Sequence, residues 1–340
     1  MKILATADLH IRNKEDCAVL ARILQTASEN ACGAVLIGGD LLDRPFIDDE
    51  TSKAVLALLE AAPCPIFLVA GNHDPLAVTA LYRWLPQGVQ IFPAEWTCYT
   101  LGEGIYIHGY SSAREEGESL IPAGYSVPGE GVHILLAHGS PEGSAGAFAP
   151  ISADVLAASG FRLAVVGHIH KSDRRQIGRC LRLVPGIPQG RGWDELGERY
   201  IYLIDITADG GLNVEACRVA QKLYLELEVD LTGCADGGEI LAKMENIEIP
   251  HGAEVRLILT GQPEESPEAA ARLYTERTGR EVKDKTEFFI SLELLREQNT
   301  LQGAFVRHAM AEIEAANPAE RPRLEAALRL GLKALKEAQR

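Results

Sequence analysis

The residues of this chain best suited to chemistry fall into five short polar motifs. These are Asp8-Leu9-His10, Gly39-Asp40-Leu41-Leu42-Asp43, Gly71-Asn72-His73-Asp74, His138-Gly139 and Gly167-His168-Ile169-His170. Carboxylate, imidazole and amide oxygen are hard-to-borderline donors that suit Mn, Fe or Zn, and no thiolate stands among them. Asp-x-His and His-x-His place both side chains on one face of an extended segment, so each motif offers two ligands. The seven candidate ligands Asp8, His10, Asp40, Asn72, His138, His168 and His170 are too many for one tetrahedral ion. They suit two divalent cations roughly 3.5–4 Å apart, clamping the attacking and leaving oxygens of an in-line displacement at phosphorus. Taken singly, each has an ordinary reading: Asp8 as a helix cap, His10 as a loop histidine, Asp40 as a turn residue, Asn72-His73-Asp74 as a turn before Pro75. Jointly, in a chain with nine histidines, the ordinary readings fail.

The positions of the motifs make the same point. Each follows a short apolar run: KILATA (2–7), AVLIGG (34–39), PIFLVAG (65–71), HILLA (133–137) and LAVVG (163–167). Such runs suit strands buried on both faces, and IYIHGY (105–110) and YIYLIDI (200–206) read the same way. Amphipathic stretches at 16–30 and 49–62 lie between them, and strand–helix alternation gives a layered α/β domain. In open α/β sheets, sites form beyond the carboxyl ends of the strands, so ligands 160 residues apart in sequence are expected in one cleft.

The pattern changes near 208–222. Residues 223–231 and 253–261 alternate like strands, and 237–247 and 266–279 read as helices, the latter with Ser266 as N-cap and Pro267 at its first position. The expected organisation is a catalytic domain at 1–215, a small α+β domain at 220–292 and helices at 295–340. In the tail, Leu324, Leu328, Leu332 and Leu335 form a stripe at helical spacing after a break at Asn317-Pro318. Docking of this stripe on its own protein is favoured over a partner-binding helix pair. His108 and His133 read as packing or surface positions inside strands, and His251 and His308 are given no role.

Composition narrows the class. The 340 residues carry 33 Lys and Arg against 48 Asp and Glu, a formal net charge of −15. That argues mildly against an autonomous nucleic-acid binder, although bound dications add positive charge that a residue count omits. Seven scattered cysteines without a CxxC pair point to reduced thiols rather than a disulfide framework. No apolar run reaches the roughly 18 residues of a membrane span, and the first residues read as a core strand rather than a secretion signal. A cytoplasmic protein with no membrane contact is expected.

The ordered set DLH, GDLLDR, GNHD, AHG and GHIH resembles the signature of the calcineurin-like metallophosphoesterases over residues 1 to 206. The resemblance implies a metallophosphoesterase sandwich with a small α+β cap and C-terminal helices. It implies that Asp8, His10 and His170 hold one ion, that Asp40 bridges, and that Asn72, His138 and His168 hold the second. A metal-bridging hydroxide would be the nucleophile. His73 would serve the leaving oxygen, Asp43 would orient and charge His73, and Arg44 would approach the phosphate.

The forms GDLLDRP, GNHDP, GHIHK and VPGIPQGRGWDELGERYIYLIDI (184–206) resemble SbcD-type DNA-repair exonucleases more narrowly. That implies a Mn-dependent DNA exonuclease whose terminal helices dock on an SbcC-like ABC-type coiled-coil ATPase; a homodimer is left open. Between 171 and 199 lie Lys171, Arg174, Arg175, Arg179, Arg182, Arg191 and Arg199. From their place beside the His168/His170 motif, Lys171 and Arg191 are candidate phosphate contacts. A solvated strand pair balanced by Asp173, Asp194, Glu195 and Glu198 is an equal alternative. The competing functions are a small-molecule phosphoesterase acting on cyclic nucleotides or nucleotides, a protein phosphatase, and a scaffold that has lost catalysis. The complete ligand set argues against the last.

Overall fold

A strand that is apolar at every position must find a packing layer on each side, because successive side chains point to opposite faces. The computed structural model describes all residues except 103, 115–118, 120, 142–147, 287–291 and 338–340, and it meets that demand with stacked layers. Chain order is β1 (Lys2–Thr6), α1 (Cys17–Glu29), β2 (Ala34–Ile37), α2 (Asp49–Glu60), β3 (Ile66–Leu68), β4 (Val89–Ile91), β5 (Thr97–Gly102) and β6 (Ile105–Gly109). It continues with β7 (Val132–His138), α3 (Ala153–Ala158), β8 (Leu163–Gly167), β9 (Asp173–Ile177), β10 (Cys180–Val184), β11 (Ile201–Ile206) and β12 (Leu212–Cys217).

These strands form two six-stranded sheets, ordered β12-β11-β1-β2-β3-β4 and β5-β6-β7-β8-β10-β9. The strands that lead into the five motifs run parallel within each sheet, β1 beside β2 and β2 beside β3 in one, β7 beside β8 in the other. Their carboxyl ends therefore emerge together. Alternation divides each strand between two cores. Ile3, Ala5 and Leu36 join Ile134, Leu136 and Val165 in the layer shared by the sheets. Leu4, Val35 and Ile37 face the other way, onto Leu20, Ile23, Val55 and Leu59 of α1 and α2. On the far side of the second sheet, Leu135, Ala137 and Val166 pack with Leu156 of α3, Phe161 and Tyr110. Antiparallel additions, β11 and β12 in one sheet and β5 and β9 in the other, finish the edges.

The chain divides into two compact units, Met1–Leu225 with His251–Glu254, and Glu226–Pro250 with Val255–Arg340. Strand β13 (Leu223–Asp230) carries the chain into the second, which continues with α4 (Gly237–Glu245), β14 (Ala253–Thr260), α5 (Glu268–Thr278), β15 (Val282–Asp284), α6 (Leu292–Glu297), α7 (Leu301–Ala315) and α8 (Arg321–Glu337). Most of the residues expected as cap, and all those expected as tail, thus fall in one unit. Pro267 occupies the N-cap position of α5, one residue later than read from sequence. Two leucines of the stripe pack within the tail: Leu328 and Leu332 are buried against Val306, with Phe305, Met310 and Ile313 beside them. A Cβ at Gly331 would stand 2.3 Å from the Phe305 ring, so α7 and α8 touch closely there. Among the described residues no helix is long and apolar enough to cross a membrane.

His108 and His133 are both buried and meet each other, His108 Nε2 lying 2.9 Å from His133 Nδ1 and the Tyr125 hydroxyl 3.0 Å from His108 Nδ1. Burial pushes His108 down from 6.5 to about 4, and lowers His133 as well. The unfolded chain therefore takes up protons below its ordinary value of 6.5 that the native state refuses until about 4, so stability falls as pH drops through that window. Denaturant midpoints measured from pH 7 to 4 are expected to fall, and to fall less steeply for His108→Gln.

Candidate metal centre

The loops beyond β1 and β2 continue as a backbone-paired ladder. Asp8 N donates to Gly39 O at 2.9 Å, His10 N to Asp40 O at 3.0 Å, and Ile11 N to Leu41 O at 3.0 Å. Within this ladder Asp8, His10 and Asp40 adopt φ of 54°, 47° and 50°, and His168, just past β8, has φ 94°. Left-handed backbone at non-glycine residues is costly and gathers at functional sites. Four of the six such residues among those described are candidate ligands. Two glycines let the loops close in. A Cβ at Gly71 would stand 2.1 Å from Asp40 Oδ1, and one at Gly39, itself at φ 95°, would stand 2.3 Å from His138 Nδ1.

All seven candidate ligands converge. On one side, His10 Nε2 and His170 Nε2 face each other at 3.1 Å, and His10 Nε2 lies 3.7 Å from Asp40 Oδ2. On the other, Asn72 Oδ1 lies 3.0 Å from both His138 Nε2 and His168 Nδ1, and His138 Nε2 lies 3.2 Å from the same Asp40 Oδ2. Asp40 Oδ2 is thus shared by two donor sets, while its Oδ1 accepts from His73 N at 2.9 Å. Asp8 joins through Oδ1, which accepts from His168 N at 2.8 Å and lies 3.8 Å from His138 Nδ1.

Outer contacts select the nitrogen each ring presents. His138 Nδ1 donates to Gly38 O at 2.8 Å and His170 Nδ1 to Glu195 Oε1 at 2.8 Å. His10 Nδ1 stands 3.1 Å from Asp43 Oδ1, off the line of a good hydrogen bond. In these three rings Nε2 is the nitrogen left to face the centre, whereas His168 turns Nδ1 toward Asn72.

The electrostatics call for cations. Asp8 and Asp40 are each 1% exposed, and Asp8 Oδ2 is buried with no hydrogen-bond partner. Burial pushes Asp8 up to about 6 although His138 opposes it, with Asp40 adding to the rise. Burial also works against ionised Asp40, but His138, by charge and hydrogen bond, outweighs it and holds this carboxyl well below its usual range. His138, despite its burial, is raised to about 9 by Asp40 and Asp8. His10 and His168 are pushed down by burial, to about 3 and about 4. Two neutral imidazoles, a strongly basic third and an orphaned carboxylate oxygen make a donor set that gains from exchanging protons for dications. The donor set fits two divalent ions.

Two residues differ from their expected roles. His73, exposed at the rim, does not meet the Asp43 carboxylate; its Nδ1 donates to the Asp43 backbone carbonyl at 3.0 Å. That carboxylate is engaged elsewhere, by His10 Nδ1 and by Arg191 Nη1 at 2.8 Å. Arg191 in turn is committed to two carboxylates: besides its Nη1 contact with Asp43, its Nε and Nη2 donate to Glu195, with Nη2 to Oε1 at 2.8 Å. Of the other basic residues, Arg182 pairs with Asp173, Arg199 donates to the carbonyls of His170 and Leu196, and Arg174 donates to Val214 O. Of the seven basic residues, Arg182 and Arg191 are thus ion-paired, while Lys171, Arg174, Arg175 and Arg179 stay exposed. Arg44 does border the cleft, a space of about 290 Å³ lined by Asp43, Arg44, Pro45, Asn72 and His73.

Two structural supports are only faintly signalled in the sequence. Fully buried Asp74 accepts from Leu42 N at 2.9 Å, from Gly71 N at 2.8 Å and from the Tyr82 hydroxyl, locking two ligand loops together. Glu195 reads in sequence as one more surface charge. The nearness of Asp74 to Asn72, and of Glu195 to a basic residue four positions back, are the available hints.

The family relationship agrees with this geometry. Residues 1–172 match the calcineurin-like phosphoesterase family, and the chain belongs to that family of two-metal phosphoester hydrolases. YhaO of Bacillus subtilis (strain 168), described as an uncharacterized metallophosphoesterase, is 28% identical over 229 residues, 63% of this chain and 55% of that protein. The chain therefore spans about half the length of this relative. Among solved structures, TT1561 of Thermus thermophilus is 18% identical with a TM-score of 0.43, over 64% of this chain and 98% of that one. A dimetal phosphatase from Danio rerio is 12% identical with a TM-score of 0.44, over 64% and 95%.

Two substitutions test the frame around the donors. Asp74→Ala leaves three buried donors without an acceptor and is expected to cost about 3 kcal/mol or more in denaturant unfolding. Gly39→Ala is expected to lose bound metal, read by elemental analysis, because its Cβ displaces the His138 ring.

Proposed function

We propose that the chain is a two-metal phosphodiesterase that degrades DNA, the nuclease subunit of an SbcCD-like repair complex. The observation that carries the two-metal part is Asp40 Oδ2, placed between His10 Nε2 at 3.7 Å and His138 Nε2 at 3.2 Å. In this reading Asp8, His10 and His170 hold one ion, Asn72, His138 and His168 the other, and Asp40 bridges. The bound ions, Mn by the family resemblance, supply charge to polarise the phosphate and activate water.

The remaining work belongs to the chain. His73 stands exposed beside Asn72 with its Nδ1 fixed as donor to the Asp43 carbonyl, so Nε2 is the atom left to serve the leaving oxygen. Arg44, exposed on the same rim, offers a cation to the phosphate. Buried Ala70, Leu42 and Asp74 beneath these loops keep the rim from shifting as substrate arrives.

DNA as substrate is supported by the likeness of residues 184–206 and of the motif forms to SbcD-type nucleases, and by exposed Lys171, Arg175 and Arg179 beyond the His168/His170 motif. The same likeness assigns an ABC-type coiled-coil ATPase to the terminal helices. Leu328 and Leu332 are turned inward and Leu330 is 70% exposed, which leaves that leucine open to such a partner. One observation favours a small phosphoester instead: a cleft of about 290 Å³ lies at the small end of ligand pockets.

A Mn-supplemented assay on end-labelled linear DNA, beside a chromogenic phosphodiester, separates these readings. Shortening of DNA is expected, and His73→Ala is expected to lower turnover about 100-fold or more with its metal content unchanged. Asp40→Ala is expected to lose both ions; full occupancy in that variant would sink the bridging role. Cleavage of the small diester alone would transfer the assignment to a small-molecule enzyme.

A further inference from the structure

We infer that Arg191 and Glu195 are positioning residues for one of the two ion sites, the one facing His10 and His170, while the other site stands without them. This rests on the two-metal reading above. The links form a closed circuit. The Glu195 carboxylate, 5% exposed, accepts from His170 Nδ1 at 2.8 Å. It also takes the Arg191 backbone N–H at 2.8 Å and the Arg191 Nη2 at 2.8 Å. Arg191 Nη1 donates to Asp43 Oδ1 at 2.8 Å, and that oxygen lies 3.1 Å from His10 Nδ1. The circuit closes where His10 Nε2 and His170 Nε2 face each other at 3.1 Å.

Each arm of the brace thus ends on the far nitrogen of an imidazole whose near nitrogen points at the ion position. The segment is itself tied down, since Ile187 N and Arg199 Nη1 both donate to the His170 carbonyl at 3.1 Å. An N–H···N contact between the two Nε2 atoms joins the rings but leaves each free to turn about it, so something else must fix their orientation. A guanidinium gripping two carboxylates in fixed geometry does so. The second donor set has different supports: His138 is held by the Gly38 carbonyl, and His168 meets Asn72 directly. Neither Arg191 nor Glu195 makes a hydrogen bond or ion pair with these residues among the described contacts. The brace therefore serves one ion.

The test counts ions rather than turnover. Wild-type protein, Glu195→Gln and Arg191→Ala are titrated with Mn(II), and free ion is read by electron paramagnetic resonance. The wild type is expected to bind two equivalents. Each variant is expected to keep one equivalent at unchanged affinity and to bind the other about 10–100-fold more weakly. Guanidinium ion added to Arg191→Ala is expected to restore the weakened site, whereas methylammonium, which cannot bridge two carboxylates, is not. Equal weakening of both ions, or unchanged binding in a folded Glu195→Gln, would overturn the inference. So would an Arg191→Ala protein that binds both ions normally yet shows a raised KM for a phosphodiester, the mark of direct substrate contact. Should Arg191→Ala fail to fold, the nearly isosteric Glu195→Gln decides. A wild type that binds fewer than two ions would instead refute the two-metal reading itself.

Discussion

Two carboxylates, Asp8 and Asp40, lie almost fully buried within one cluster, and like charges out of water cannot both persist without cations to answer them. Much of the first unit follows from managing that conflict. Parallel strands bring the motif-bearing loops to one edge of each sheet, and the backbone ladder from Asp8 to Leu41 holds the carboxylates at fixed spacing. The imidazoles divide the response between them: His138 grips a proton tightly, while burial keeps His10 and His168 neutral and open to a cation. The site is a charge deficit maintained by the core beneath it.

The core maintains it because the sheets have no free face where the ligands emerge. Leu4, Val35 and Ile37 are packed under helices while Ile3, Ala5 and Leu36 are packed against the opposite sheet. A slip of one residue in either strand would exchange these sets and carry Asp8 or Asp40 away from its partners. The hydrophobic register and the metal geometry are one specification, which is why a ligand set drawn from five separated motifs can be held to fractions of an ångström.

That unity explains what is legible in the chain itself. Buried parallel strands announce themselves as continuous apolar runs, and the ligands stand where those runs stop, so the layered fold and the seven converging side chains can be read in advance. The short edge strands cannot: β9 is exposed at four of its five positions, and β12 alternates without a strong apolar face. The brace escapes sequence reading for a related reason. Arg191, Glu195 and Asp43 carry charges that look like surface charges in a linear sequence, and only the fold shows that 148 residues separate two members of one ion pair. His73 and Asp43 illustrate the finer limit. The family resemblance implies that they meet, but whether a carbonyl or a carboxylate makes the contact depends on which other group claims the carboxylate first.

The left-handed backbone at Asp8, His10, Asp40 and His168 has a consequence for descent. Each such residue holds the folded chain at a disadvantage of about 1–3 kcal/mol relative to a relaxed conformation, and glycine would remove that disadvantage at the same position. A lineage released from catalysis therefore gains stability by losing its ligands, one drifted codon at a time. Selection for chemistry and selection for persistence pull these four positions in opposite directions. Aspartate and histidine at these four positions supply donors at that cost.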